Sequence, residues 1–161
     1  NDSETEYDHI FNRGTLYPDP TVHLTIGSKK NTSDAPEGCE NWAALISTPH
    51  NTGQDWDELV SLSKKRVIDK LNSALGEDIS PYIEFESVLD PIKLENETSS
   101  SFGSVFGNSS NSKFAAFLRH PNFSSQIDNL FFCGGTIHPG SGVPLCLLSA
   151  KITSDLIIGN K

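Results

Sequence analysis

Residues 130–159 constrain this chain more than any other stretch. They run Leu-Phe-Phe-Cys-Gly-Gly-Thr-Ile-His-Pro-Gly-Ser-Gly-Val-Pro-Leu-Cys-Leu-Leu-Ser-Ala-Lys-Ile-Thr-Ser-Asp-Leu-Ile-Ile-Gly. The apolar run Leu130 to Cys133 predicts a short buried strand. Gly134, Gly135, Gly140 and Gly142 then make a loop in which bulky side chains are scarce. Pro144 stands where a helix should begin, and Gly159 where it should stop. Strand, glycine loop and helix amino end together offer bare backbone N–H groups to an electron-rich ligand. The competing reading is a tight strand-to-helix turn with no ligand, and residue types alone leave both open.

The loop is not a dinucleotide fingerprint. Gly140-Ser141-Gly142 begins a G-x-G-x-x-G, but position 145 is Leu, and six residues separate the strand from Gly140. No acidic residue lies some twenty positions further on. His138, before Pro139, is either a turn histidine satisfied by backbone or a polar group aimed at a ligand.

Composition narrows the partners. Twelve basic against 21 acidic residues give a formal net charge of -9. That balance argues against a nucleic-acid backbone and against docking on anionic lipid. No apolar run is long enough to span a bilayer, and the polar, acidic first residues do not form a signal peptide. Cys39, Cys133 and Cys146 lack C-x-x-C spacing, which predicts free thiols in a reducing, cytoplasmic compartment. Cys133 and Cys146 are expected in the core, since both lie in apolar stretches.

No other motif carries chemistry. His9, His23, His50 and His120 have no metal-ligand spacing, so no metal site is expected. Ser141 and Ser149 lack a G-x-S-x-G context. Sequons at Asn1, Asn31, Asn96, Asn108 and Asn122 are the chance product of an Asn- and Ser-rich chain. Lys113 and Arg119 are surface charges, or contacts to a cofactor phosphate. The chain has no methionine and opens on Asn1, which suggests a fragment or a processed product.

Residues 1–20 are expected to be a polar lead-in without regular structure, punctuated by Pro18 and Pro20. Thr21 to Ile26 and Trp42 to Ile46 predict two strands, paired as an antiparallel hairpin with a long loop. Asp55 to Leu75 predicts a helix. Its apolar stripe is Trp56, Leu59, Val60, Val67, Leu71 and Leu75, and Gly76 is its stop. Tyr82 to Leu89 predicts a third strand, ended by Pro91, and 95–113 an extended loop. Phe114 to Arg119 predicts a short helix, stopped before Pro121.

The Gly-Gly-Thr-Ile-His-Pro-Gly-Ser-Gly-Val-Pro run and its Leu-Leu-Ser-Ala-Lys continuation resemble the C-terminal signature of bacterial phytoene-desaturase-type carotenoid desaturases, G-x-x-x-H-P-G-x-G-[IV]-P followed by a helix with S-[GA]-K. The blocks Asp34 to Trp42, Asn51 to Trp56 and Gly107 to Ser112 resemble the same family in the same order. The resemblance covers most of residues 18–158. It implies an α+β fragment: antiparallel strands and a long helix at 21–128 from a substrate domain, and a segment 129–161 that completes an FAD-binding Rossmann-like domain. By position, Gly134, Gly135, His138, Pro139, Gly140, Gly142, Val143 and Pro144 would line the FAD, with the Val143 amide toward the flavin pyrimidine oxygens.

The resemblance implies a carotenoid substrate, desaturated by hydride transfer to flavin N5, with His138 the best polar group near the ring. It implies as partner the N-terminal half of the same enzyme, and for that full enzyme a peripheral membrane contact. The family's N-terminal G-x-G-x-x-G is missing from these residues, so the fragment alone is expected to be inactive and to hold FAD weakly. The alternative function is a non-catalytic anion- or nucleotide-binding module that uses the same helix amino end.

Overall fold

The computed structural model describes residues 3–105 and 119–159. It is an α+β fragment with a two-stranded antiparallel sheet and four α-helices among the described residues. Two compact units divide at Asp90 and Pro91.

In the first unit the lead-in is not an irregular loop. Ser3–Tyr7 forms helix α1, and Asp8–Asn12 continues it as one wider π-helical turn. Apolar residues hidden among the polar ones explain the difference: Ile10 and Leu16 are buried, as is Trp56. Glu6 is buried too, and its carboxylate accepts from the Thr21 amide at 3.0 Å and the Thr21 hydroxyl at 2.6 Å. These bonds offset the cost of removing the carboxylate from water.

Strand β1 (His23–Ile26) pairs with β2 (Trp42–Leu45), His23 opposite Leu45 and Ile26 opposite Trp42. The antiparallel hairpin matches the expectation, with both strands shorter. Its long connection is pinned at the base, where the Ser28 amide donates to Asn41 Oδ1 at 2.7 Å.

Helix α2 (Trp56–Leu75) begins and ends where residue chemistry predicts. Asp55 caps it by accepting from the Glu58 amide at 3.1 Å, and Gly76 closes it in the left-handed region at φ +77°. The stripe turns inward from Trp56 to Leu71, while Leu75 is exposed. Arg66 donates to the Tyr17 carbonyl, and Lys70 to Asp19 and the Pro20 carbonyl. The lead-in is thereby tied to α2.

Residues 82–89 are not a strand. After a 3-10 turn at Ser80–Tyr82 the chain is extended at Ile83 and then follows no regular element, with no ladder partner among the described residues, and Phe85 is 86% exposed. Alternating apolar residues favour an extended backbone, but only a neighbouring strand makes a ladder.

The second unit opens with α3 (Pro91–Thr98), so Pro91 starts a helix as well as ending the extended run. The expected loop from residue 95 is therefore helical to Thr98 and carries a 3-10 turn at Ser101–Gly103. The helix expected at 114–119, and the Gly107 to Ser112 block, lie outside the described residues apart from Arg119. Leu130 to Cys133 is no buried strand either. In place of a ladder there is an isolated antiparallel bridge from Phe123 to Phe131, with a parallel one nearby from His120 to Ile137. Helix α4 (Val143–Ile158) follows, with Pro144 in its first turn and Gly159 at its end as expected, and with Gly142 at its N-cap.

Candidate functional site

The glycine loop is built on α4 from below and on residues 119–124 from the side. Gly142, at the N-cap, has φ +98° and ψ +147°, a combination essentially reserved for glycine. No side chain caps α4, and Pro144 in its first turn has no N–H to satisfy. A Cβ on Gly142 or Gly134 would meet no atom within 4 Å, so both glycines face open space. Gly135 and Gly140 are packing glycines instead. A Cβ on Gly135 would reach Cys146 Sγ at 3.4 Å, and one on Gly140 would reach Arg119 Nε at 3.3 Å.

The eight residues singled out in the sequence thus divide by environment. Gly134 and Gly142 border open space, and Val143 is 74% exposed at the helix start. Gly140 is buried and Pro139 half-buried after a cis His138–Pro139 bond. His138 uses its backbone twice, donating to the His120 carbonyl at 2.9 Å and accepting from Asn122 Nδ2 at 3.1 Å. Its ring is left toward solvent. Arg119 donates to the Gly135 carbonyl at 3.0 Å, so this guanidinium is part of the loop's support.

The sequence reading passed over the group at the centre. Asn122 lies buried between loop and helix. Its Nδ2 stands 3.0 Å from Ser149 Oγ, 3.2 Å from Thr153 Oγ1 and 3.3 Å from the Phe132 carbonyl. Ser149 Oγ in turn accepts from the Gly134 amide at 3.2 Å, and Thr153 Oγ1 donates to the Phe132 carbonyl at 2.7 Å. A signal was present: Ser149 and Thr153 are four apart, hence on one face of an otherwise apolar helix.

That face is the buried one. Ser149 is completely buried, whereas Leu147, Ile157 and Ile158 on α4 are more than half exposed. The helix therefore turns hydroxyls inward and aliphatic side chains outward, the reverse of a surface helix in a finished domain. No aliphatic or aromatic side chain is buried among the described residues of this unit beyond Pro91. The thiols depart from expectation in the same way: all three are free, but Cys133 is exposed and Cys146 only half-buried. The described residues hold no cluster of three or more His, Cys, Asp or Glu suited to a metal ion. No helix among them is long and apolar enough to cross a membrane.

Comparison with known proteins finds relatives. The chain matches a part of proteins named as carotenoid desaturases and a related oxygenase. It is 52% identical over 154 residues to the 1-hydroxycarotenoid 3,4-desaturase of Flavobacterium sp. strain P99-3, covering 96% of this chain and 32% of that protein. It is 34% identical over 158 residues to the 4,4'-diaponeurosporene oxygenase of Staphylococcus haemolyticus, covering 98% of this chain and 32% of that protein. The phytoene desaturase of Fusarium fujikuroi is 27% identical over 176 residues, covering 96% and 31%. The chain spans about a third of the length of the curated relatives it matches. No protein-family profile matches it.

Proposed function

We propose that this chain is the C-terminal third of an FAD-dependent enzyme that oxidises carotenoid polyenes. The observation that carries the reading is the 52% identity to a 1-hydroxycarotenoid 3,4-desaturase across 96% of the chain. The names of the relatives favour an enzyme over a non-catalytic anion-binding module.

The residues present suit a flavin. The amino end of α4 has no side-chain cap, and Gly142 and Gly134 leave room beside it. Gly134, Gly135, His138, Pro139, Gly140, Gly142, Val143 and Pro144 are the residues that would hold it. When bound, FAD would supply the acceptor for a hydride removed from an allylic carbon. The chain's own part is orientation and electrostatics: the Val143 amide offers a donor, and the helix dipole favours negative charge at its amino end by about 1 kcal/mol. His138, with its ring toward solvent, is the polar side chain nearest this role.

In this reading residues 129–161 complete a Rossmann-like flavin domain, and 21–128 contribute to the substrate domain. The rest of the enzyme is the partner. It would cover the aliphatic side chains that α4 turns outward, each worth about 1.5–3 kcal/mol on full burial. A carotenoid partitions into lipid, so the cytoplasmic enzyme would meet a membrane surface, at a place other than this acidic chain.

A chimera tests the proposal. The N-terminal two thirds of the Flavobacterium desaturase, joined to this chain, should purify with a flavin spectrum that bleaches anaerobically on addition of a carotenoid substrate. A folded, soluble chimera with no bound flavin overturns the reading.

A further inference from the structure

We infer that Asn122 is the positioning residue of the glycine loop: its side-chain amide holds the loop against α4 and so sets where the backbone around Gly134 and His138 stands. This rests on the flavin reading only for what the loop binds, not for how it is held. Asn122 is 3% exposed. Five oxygens lie within hydrogen-bond distance of its Nδ2: the carbonyls of Phe132 (3.3 Å), His138 (3.1 Å) and Ser149 (3.4 Å), Ser149 Oγ (3.0 Å) and Thr153 Oγ1 (3.2 Å). Three of the five are carbonyls, which cannot donate, so the group among them must be the NH2. Two N–H bonds are shared among acceptors from both strands of the loop and from the helix.

The Asn122 backbone adds a further tie, its carbonyl accepting from the Phe132 amide at 2.9 Å. The hydroxyls relay the hold outward. Ser149 Oγ accepts from the Gly134 amide, and Gly134 is one of the two glycines of the loop that border open space. One buried amide thus connects the helix, both arms of the loop and, through Ser149, Gly134. An Asn at this burial is also closed to glycan attachment in the folded chain, so the sequon Asn122-Phe123-Ser124 serves a structural end.

The experiment compares Asn122→Asp and Ser149→Ala in the full-length protein, with amide hydrogen exchange and FAD titration as two separate readouts. Asn122→Asp keeps the shape but replaces two N–H donors by one O–H at most, too few for the surrounding oxygens. Exchange at Gly134 and His138 should rise about tenfold or more while α2 amides stay unchanged, and the FAD dissociation constant should rise about tenfold. Ser149→Ala removes the acceptor of the Gly134 amide and one of the five Asn122 acceptors but leaves the Phe132 and His138 carbonyls to Asn122, so exchange should rise at Gly134 and not at His138. If Asn122→Asp does not fold, the Ser149→Ala pattern decides alone. Unchanged loop exchange, or a uniform rise through all of α4, overturns the inference. A parent protein that binds no FAD counts against the flavin reading instead, and leaves the exchange result to judge Asn122.

Discussion

Replacing Gly142 by alanine isolates the backbone's contribution at the helix start. At φ +98° and ψ +147° Gly142 lies outside every basin open to an L-residue, so alanine must either strain there or move the chain. The added Cβ meets nothing within 4 Å, so no steric clash confuses the result. The strain costs about 1–3 kcal/mol, up to roughly a hundredfold in the unfolding equilibrium. Gly159→Ala is the matched control at the other end of the same helix. Its Cβ also meets nothing, but φ +77° and ψ +17° fall in the left-handed region, a permitted if costly basin for alanine.

Gly142→Ala should therefore be the more destabilising of the two by urea titration. The loss has a local signature. The Cys146 amide donates to the Gly142 carbonyl at 2.9 Å, and its exchange should rise first as the opening turn frays to relieve the strain. Equal losses for the two variants, or a larger one for Gly159→Ala, would refute the account of the helix start.

Two further outcomes follow from other sites. Gly103→Ala should cost roughly 2–5 kcal/mol by chemical denaturation, since its Cβ would stand 2.2 Å from the Pro91 carbonyl oxygen at φ +65°. Gly14→Ala, at φ +64° with nothing within 4 Å, should cost only the backbone term, so similar losses for both would show that the Pro91 contact is absent. The Lys70 ammonium, by its hydrogen bond first and its charge second, holds the exposed Asp19 carboxyl below the ordinary value of 3.8. The Asp19–Lys70 pair is then complete above that value and lost as pH falls through the lower folded one, while the bonds of Arg66 and Lys70 to the Tyr17 and Pro20 carbonyls persist; a carboxyl titration by NMR with its midpoint at or above 3.8 would contradict it.

Local chemistry decided much of what could be read without coordinates. Helix α2 was legible because Asp55, the three- and four-residue spacing of its apolar residues, and Gly76 all act within a turn or two of the residues they specify. The same holds for α4 between Gly142 and Gly159, and for the β1–β2 hairpin. The glycine loop was legible as a loop, because glycines and proline punctuate the backbone wherever they stand. The resemblance of its His138-Pro139-Gly140-Ser141-Gly142 run to carotenoid desaturases agrees with the relatives.

Tertiary structure alone decided which of these pieces meet. Leu130 to Cys133 and residues 82–89 have the composition of strands, but a strand exists only with a neighbour to receive its hydrogen bonds, and no ladder forms among the described residues. Ile10 and Leu16 became core, and Ser3–Tyr7 and Asp8–Asn12 helical, through contacts that no local pattern encodes. Asn122 shows the limit most plainly: it lies ten residues from Phe132 and 27 from Ser149 along the chain, and a polar side chain earns a buried place only when distant acceptors converge on it. Sequence by itself set the ends of the helices and the small residues of the loop, through short-range sterics and capping; the fold decided what holds that loop and which face of α4 turns inward, because both depend on groups brought together from far apart.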